Sequence, residues 1–174
     1  MDAAARERQQ HLQARLAVAF GAADAARDMP VLNIAPDAVL ATARRLKSEF
    51  AFDLLASLTA VDWPQRERRF DVVWHFYSTQ SFARVRVKTQ VGGDSPTVDS
   101  LLPLYGAAGY MERECHEMYG IAINGNPDLR PILLYEGFIG HPLRKDYPKT
   151  HEQPLVPYRD AREFDPAARG KGAG

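Results

Sequence analysis

The chain has one cysteine, Cys115, in 174 residues. A lone thiol closes no internal disulfide and builds no one-chain cysteine cluster for zinc or iron–sulfur, so a cytoplasmic compartment fits. Net charge is missing too: Lys+Arg and Asp+Glu number 22 each. That balance removes the electrostatic case for nucleic acid or an anionic membrane surface. No apolar run approaches the roughly 20 residues of a membrane helix, and the N-terminus lacks the charged-then-apolar plan of a signal peptide. No GxGxxG or GxxxxGK[ST] phosphate cradle occurs; Gly92-Gly93 and Gly106-x-x-Gly109 match neither. The remainder is ordinary for a globular domain, with 45% hydrophobic and 25% charged residues, and suits one core.

Three segments are expected. Residues 1–28 form a leader helix, with Leu12, Leu16, Ala19 and Phe20 at helical offsets. Residues 29–150 form the domain, and residues 151–174 an extended, partly disordered tail. Within the domain, Met29–Ile34 reads as a short strand. Pro36 and Asp37 open a helix whose apolar face is Val39, Leu40, Ala43, Leu46 and Phe50.

The period then changes from 3.6 to 2. Phe52, Leu54, Ala56, Leu58 and Ala60 alternate, then Phe70, Val72, Trp74 and Phe76, then Val85, Val87, Thr89 and Val91. Short links make these an antiparallel meander, with Arg84, Arg86 and Lys88 on a wet face. A short capped helix is expected from Ser95 or Thr97 through Leu102. A longer one begins at Tyr110 and stops at Gly120, followed by a strand at Ile121–Ile123. The fold class is α+β: a mostly antiparallel mixed sheet with helices packed on one face and a long irregular C-terminal extension.

Chemistry is harder to place. Glu112, Glu114, Cys115, His116 and Glu117 are all metal-ligating types, but neighbours on a helix diverge by about 100° and cannot close on one ion. HExxH fails because Gly120 stands four past His116. Cys115 and adjacent His116 have the wrong geometry for an activated pair, and Cys115 shares a core face with Met111 and Met118. Glu112 and Glu114 point apart, which counts against an acid–base pair.

The run from Glu112 to Pro148 remains. It has little hydrophobic period and is crowded with charges, glycines and prolines, and loops this long are uncommon unless functional. Arg113 and Glu117 are spaced to pair along the helix, leaving Glu112 and Glu114 for other cations. Phe138, Ile139, Leu143 and Tyr147 are interleaved with the charges. The strip reads as a docking surface covered in a permanent complex.

Its residues also resemble a family. Glu112-Arg113-Glu114, Met118-Tyr119-Gly120-Ile121, Gly125-x-Pro127-Asp128-Leu129-Arg130 and the run from Gly140 through His141, Pro142, Leu143, Arg144, Lys145, Asp146 and Tyr147 to Pro148 are similar to the signature of the 30 kDa-type subunit of respiratory complex I, NADH:quinone oxidoreductase. The likeness extends upstream through 52–62, 70–77 and 84–88, covering roughly residues 36 to 150.

The resemblance implies a peripheral subunit on the cytoplasmic side of the inner membrane, lying against the quinone-site subunit and the subunit that bears the last iron–sulfur cluster. FMN and iron–sulfur clusters belong to partner subunits, and this chain is expected to hold no catalytic, cofactor or metal residues. Related subunits serve in membrane-bound [NiFe] hydrogenase, deazaflavin-dependent and chloroplast-type complexes. Glu112, Arg113, Glu114, Arg130, His141, Arg144, Lys145 and Asp146 are the expected interface and local scaffold contacts. His141 with Pro142 is expected to fix a turn; a proton relay is the alternative its near-neutral titration raises. Arg144→Ala is expected to leave the isolated domain about as stable, as for an exposed ion pair under about 1 kcal/mol.

Overall fold

The structure, a computed structural model, describes residues 3–25 and 29–150. The expected tail at 151–174 lies outside the described residues. In chain order the elements are α1 (Ala3–Phe20), β1 (Asp24–Ala25), β2 (Pro30–Ile34), α2 (Val39–Phe50), β3 (Leu54–Asp62), β4 (Phe70–Tyr77), β5 (Arg84–Val91), β6 (Thr97–Asp99), α3 (Ala108–Tyr119) and β7 (Ala122–Asn124). A 3₁₀ turn at Pro36–Ala38 leads into α2.

The alternating runs form one sheet of five strands, ordered β1-β2-β5-β4-β3. β3, β4 and β5 are the expected antiparallel meander. β2 joins parallel to β5, which makes the sheet mixed. The inward residues Leu55, Leu58, Phe70, Trp74, Phe76 and Val87 meet Leu16 of α1, Leu46 of α2 and Cys115 of α3 in a single core. All three helices therefore pack on one face, as α+β packing requires. Among the described residues, no helix covers the other.

Two local expectations fail for identifiable reasons. The register of β3 shifts between Leu55 and Ser57. One extra residue there turns Leu54 and Ala56 outward and Leu55 inward, so the simple alternation from Phe52 placed the wrong residues inside. The helix expected at 95–102 is also absent. Thr97–Asp99 is instead a strand paired in parallel with β7, and Ser100 N–H continues the ladder to the Asn124 carbonyl at 2.8 Å. Long-range pairing outweighs the cap signal at Pro96.

The stop of α3 is as expected. Gly120 sits at φ +70° and its N–H reaches the His116 carbonyl at 2.7 Å. A Cβ at Gly120 would overlap the side chains of His141 and Arg144, so the residue is fixed by conformation and by crowding. Burial pushes the Cys115 thiol up to about 12, which makes it an unreactive core residue.

A docking strip wound on one helix

α3 organises everything that follows it. A helix leaves its last carbonyls without intrahelical partners, and its C-terminus carries partial negative charge. Here the segment 141–144 supplies the missing donors. His141 Nδ1–H donates to the Glu117 carbonyl at 2.8 Å, and Arg144 Nε donates to the Tyr119 carbonyl at 2.6 Å. Leu143 N–H meets the Met118 carbonyl at 3.2 Å, and an Arg144 terminal N–H reaches the Gly120 carbonyl at 3.5 Å. The strip therefore caps the helix from more than twenty residues downstream.

Side chains of α3 hold the middle of the strip by its backbone. Arg113 donates to the carbonyls of Arg130 and Pro131 at 2.8 and 2.9 Å. Glu117 accepts from the N–H groups of Ile132, Leu133 and Leu134 at 3.2, 2.9 and 2.9 Å. Arg113 and Glu117 share a helix face, as spacing i,i+4 requires, yet they do not pair with each other. The cation takes carbonyls and the anion takes amides.

Glu112 is 1% exposed and meets no cation in its hydrogen bonds. Its carboxylate accepts from Ser100 Oγ–H at 2.7 Å, Leu101 N–H at 2.7 Å and Asn126 Nδ2–H at 2.9 Å. Glu112 thus ties the exit of β6 to the loop after β7. Nearby, Arg130 chelates Asp128 with two bonds of 2.8 Å, which holds the Asp128 carboxyl well below the usual carboxylate range.

The far end is clasped to the β3–β4 hairpin. Asp62, whose side chain is fully buried, takes a two-point bond from Arg69 at 2.6 and 2.7 Å. It also accepts Lys145 N–H at 2.7 Å, while Arg69 reaches on to Asp146 at 2.8 Å. The Arg69 and Arg144 guanidinium groups lie 5.2 and 5.3 Å from the Phe70 ring centre, within cation–π range. Arg69 holds both the Asp62 and the Asp146 carboxyl below the ordinary range.

For a carboxylate lowered in the folded state, the stabilisation is complete above the unfolded value near about 4 and fades as pH falls through the folded one. The stability advantage of the natural chain over Asp62→Asn should therefore be flat above about pH 5 and shrink below about pH 4. Urea unfolding across that range tests it.

Of the eight residues singled out from the sequence, Glu112, Arg113, Arg130, His141, Arg144 and Asp146 find partners within the chain. Among the described residues, no hydrogen bond or ion pair engages the exposed side chains of Glu114 and Lys145. Glu112 is not left for an outside cation, and Arg144 is not an exposed ion pair. Arg144→Ala should cost the isolated chain about 1–3 kcal/mol, because buried helix-end carbonyls lose their donors; an unchanged urea midpoint would refute this. The sequence reasoning missed Asp62, Arg69, Ser100 and Asn126. A signal existed for Asp62: it shares the inward register of Leu58 and Ala60, where a charge demands a partner.

With the polar groups turned inward, the strip shows aliphatic side chains outward. Leu133 is 63% exposed, Ile139 72% and Leu143 47%. Tyr135, Phe138 and Tyr147 brace them through ring contacts of 5.4 and 6.0 Å. Between α3 and the strip lies a cavity of about 190 Å³, smaller than the roughly 300 Å³ at which ligand pockets begin. Among the described residues, no group of three or more His, Cys, Asp or Glu converges as a metal site would need.

The family described as respiratory-chain NADH dehydrogenase, 30 kDa subunit, matches residues 32–153, well over half the chain. The chain belongs to that family. Among relatives of this 30 kDa subunit, one from the NADH-quinone oxidoreductase of Agrobacterium fabrum is 46% identical over 130 residues, covering 74% of this chain and 64% of that one. NADH dehydrogenase [ubiquinone] iron-sulfur protein 3, mitochondrial, of Candida albicans is 43% identical over 126 residues, covering 71% and 45%. The chain thus spans between about half and two thirds of the length of these relatives. A chain in the structure of an archaeal respiratory membrane complex, the membrane-bound sulfane sulfur reductase, shares the fold with a TM-score of 0.72 at 22% identity, covering 82% of this chain and 87% of that one. No described helix is long and apolar enough to cross a membrane.

Proposed function

We propose that this 30 kDa-family chain is a non-catalytic structural subunit in the hydrophilic arm of an NADH:quinone oxidoreductase. In this reading the strip docks against the quinone-site and cluster-bearing subunits, on the cytoplasmic side of the inner membrane. Electrons pass through FMN and iron–sulfur clusters held by other subunits, and quinone reduction is coupled to proton translocation there. This chain contributes shape, support and assembly.

One observation supports the reading most directly. The strip meets its polar needs inside the molecule and turns Leu133, Ile139 and Leu143 to the outside. A rigid irregular segment with apolar side chains outward matches the core of an obligate interface, which is more apolar than ordinary surface. Contrary to the ionic surface read from the sequence, the partner should meet mainly aliphatic groups.

The test is Leu133→Asp with Leu143→Asp in the full complex. Each buried leucine contributes about 1.5–3 kcal/mol, so the pair should weaken association by roughly 100-fold or more. The isolated chain should keep its melting temperature, because both positions are exposed. Normal assembly of the doubly substituted chain, measured by native gel and mass of the purified complex, would sink the proposal. A second reading, a homologous subunit of a hydrogenase-type or other complex I-like assembly, is favoured by the shared fold with the archaeal complex. The purified complex separates them: NADH oxidation with quinone supports the first, hydrogen turnover with nickel the second.

A further inference from the structure

The helix-free face of the sheet is not uniform. Cross-strand register sets four rows there: Arg84–Tyr77–Leu54, Arg86–His75–Ser57, Lys88–Val73–Thr59 and Gln90–Asp71–Val61. The outward column of β5 is therefore cationic. The outward column of β3 is largely apolar, with Leu54 and Val61 exposed and Trp63 just beyond.

The charges on this face are unevenly matched. Asp71 is occupied by Trp63 Nε1–H at 3.0 Å, Gln90 Nε2–H at 3.1 Å and Arg66 at 3.4 Å. Among the described residues, no carboxylate reaches Arg84 or Lys88; the Arg84 guanidinium lies 5.7 Å from the Tyr77 ring centre. The middle row is fixed. Arg86 Nε donates to His75 Nε2 at 2.8 Å, and a guanidinium only donates. His75 Nδ1 therefore carries the hydrogen towards Ser57 Oγ, 2.8 Å away.

The bulge in β3 turns Ala56 outward beside Leu54. The result is a hollow of about 390 Å³ lined by Met29, Leu54, Ala56, Phe76, Tyr77 and Arg84. Bulges recur where a strand must re-aim its side chains for a site.

We propose that this face is a second docking surface, occupied by an acidic amphipathic helix from another polypeptide of the assembly. The proposal rests on the complex membership argued above, but on a different surface. One strand separates β3 from β5, so their columns stand about 9.6 Å apart. That is close to the roughly 10 Å width of a helix. A helix lying along the strands sets its apolar stripe on β3 and one flank on β5. Outward residues of β5 repeat about every 6.8 Å, and carboxylates at i,i+4 on a helix about every 6 Å. Acidic side chains on that flank reach Arg84 and Lys88, while a large apolar side chain of the stripe fills the hollow. A flat anionic membrane would satisfy the cations and leave the hollow empty.

The experiment places p-benzoylphenylalanine at Tyr77 of the full chain within the purified complex, irradiates it, and sequences the captured segment by mass spectrometry. A second probe, at Leu133, reports on the strip. We expect Tyr77 to capture a helical segment bearing Asp or Glu at i,i+4. Capture should fall roughly tenfold or more in the R84E/K88E chain, since like charges then face each other. It should also fall at high salt in the chain without those two changes, which keeps the test independent of how R84E/K88E folds. Capture of lipid or of a segment without acidic residues overturns the proposal, as does capture indifferent to charge and salt. So does an empty Tyr77 probe beside a productive Leu133 probe. The reverse, capture at Tyr77 and none at Leu133, sinks the strip reading and leaves this one standing.

Discussion

Glu112→Ala should lower the unfolding free energy of the isolated chain by about 3–5 kcal/mol. The carboxylate is buried and takes three donors, and alanine leaves all three behind. Ser100 and Leu101 are themselves buried, so their abandoned O–H and N–H gain little from water. Each stranded donor costs about 1–3 kcal/mol, and the deleted side chain leaves a cavity besides. Glu112→Gln should cost less than the alanine change, since it keeps the volume but sets an amide N–H against one of the donors. The urea midpoint, read with an unchanged m-value, measures both. A loss under about 1 kcal/mol for the alanine variant would mean the carboxylate is not the tie described.

Glu117→Ala should act locally and strongly. Three consecutive amides, those of Ile132, Leu133 and Leu134, lose their common acceptor. Because these positions sit near the surface, water recovers part of the loss, and the chain as a whole stays folded. The strip should nonetheless open by about 3 kcal/mol more readily. Chymotryptic cleavage around Leu133–Tyr135 should then rise on the order of 100-fold, provided reclosing is faster than cleavage. Cleavage at the same rate as in the natural chain would refute the role given to Glu117. Assembly should fail in this variant although Leu133 and Leu143 are intact, because an interface needs its apolar groups in fixed positions.

The meander, α2 and the stop of α3 could be read from the sequence because their signals are local. Alternation at Phe70–Phe76 and Val85–Val91, helical spacing at Val39–Leu46 and a glycine after Tyr119 each span only a few residues. What could not be read depends on distant partners. Thr97–Asp99 is a strand only because Ala122–Asn124 lies beside it. The bulge at Ala56 shows no break in composition. The same limit applies to the strip: its importance was visible in residue type, but the destination of its charges was not. Arg69 and Asp146 are 77 residues apart, and Lys145 and Asp62 are 83; no periodicity encodes such pairs. Charges beside prolines looked like groups for a partner, whereas most serve backbone atoms of the same chain.

The capping of α3 by 141–144 has a consequence for biogenesis. The strip has no ladder of its own and takes its shape from a finished helix end and from a carboxylate at the foot of a hairpin. It can form only on a template already complete. A chain that has misfolded, or is still emerging from the ribosome, therefore has nothing to offer a neighbouring polypeptide. Readiness to assemble becomes a readout of correct folding, imposed by geometry and without a separate inspector.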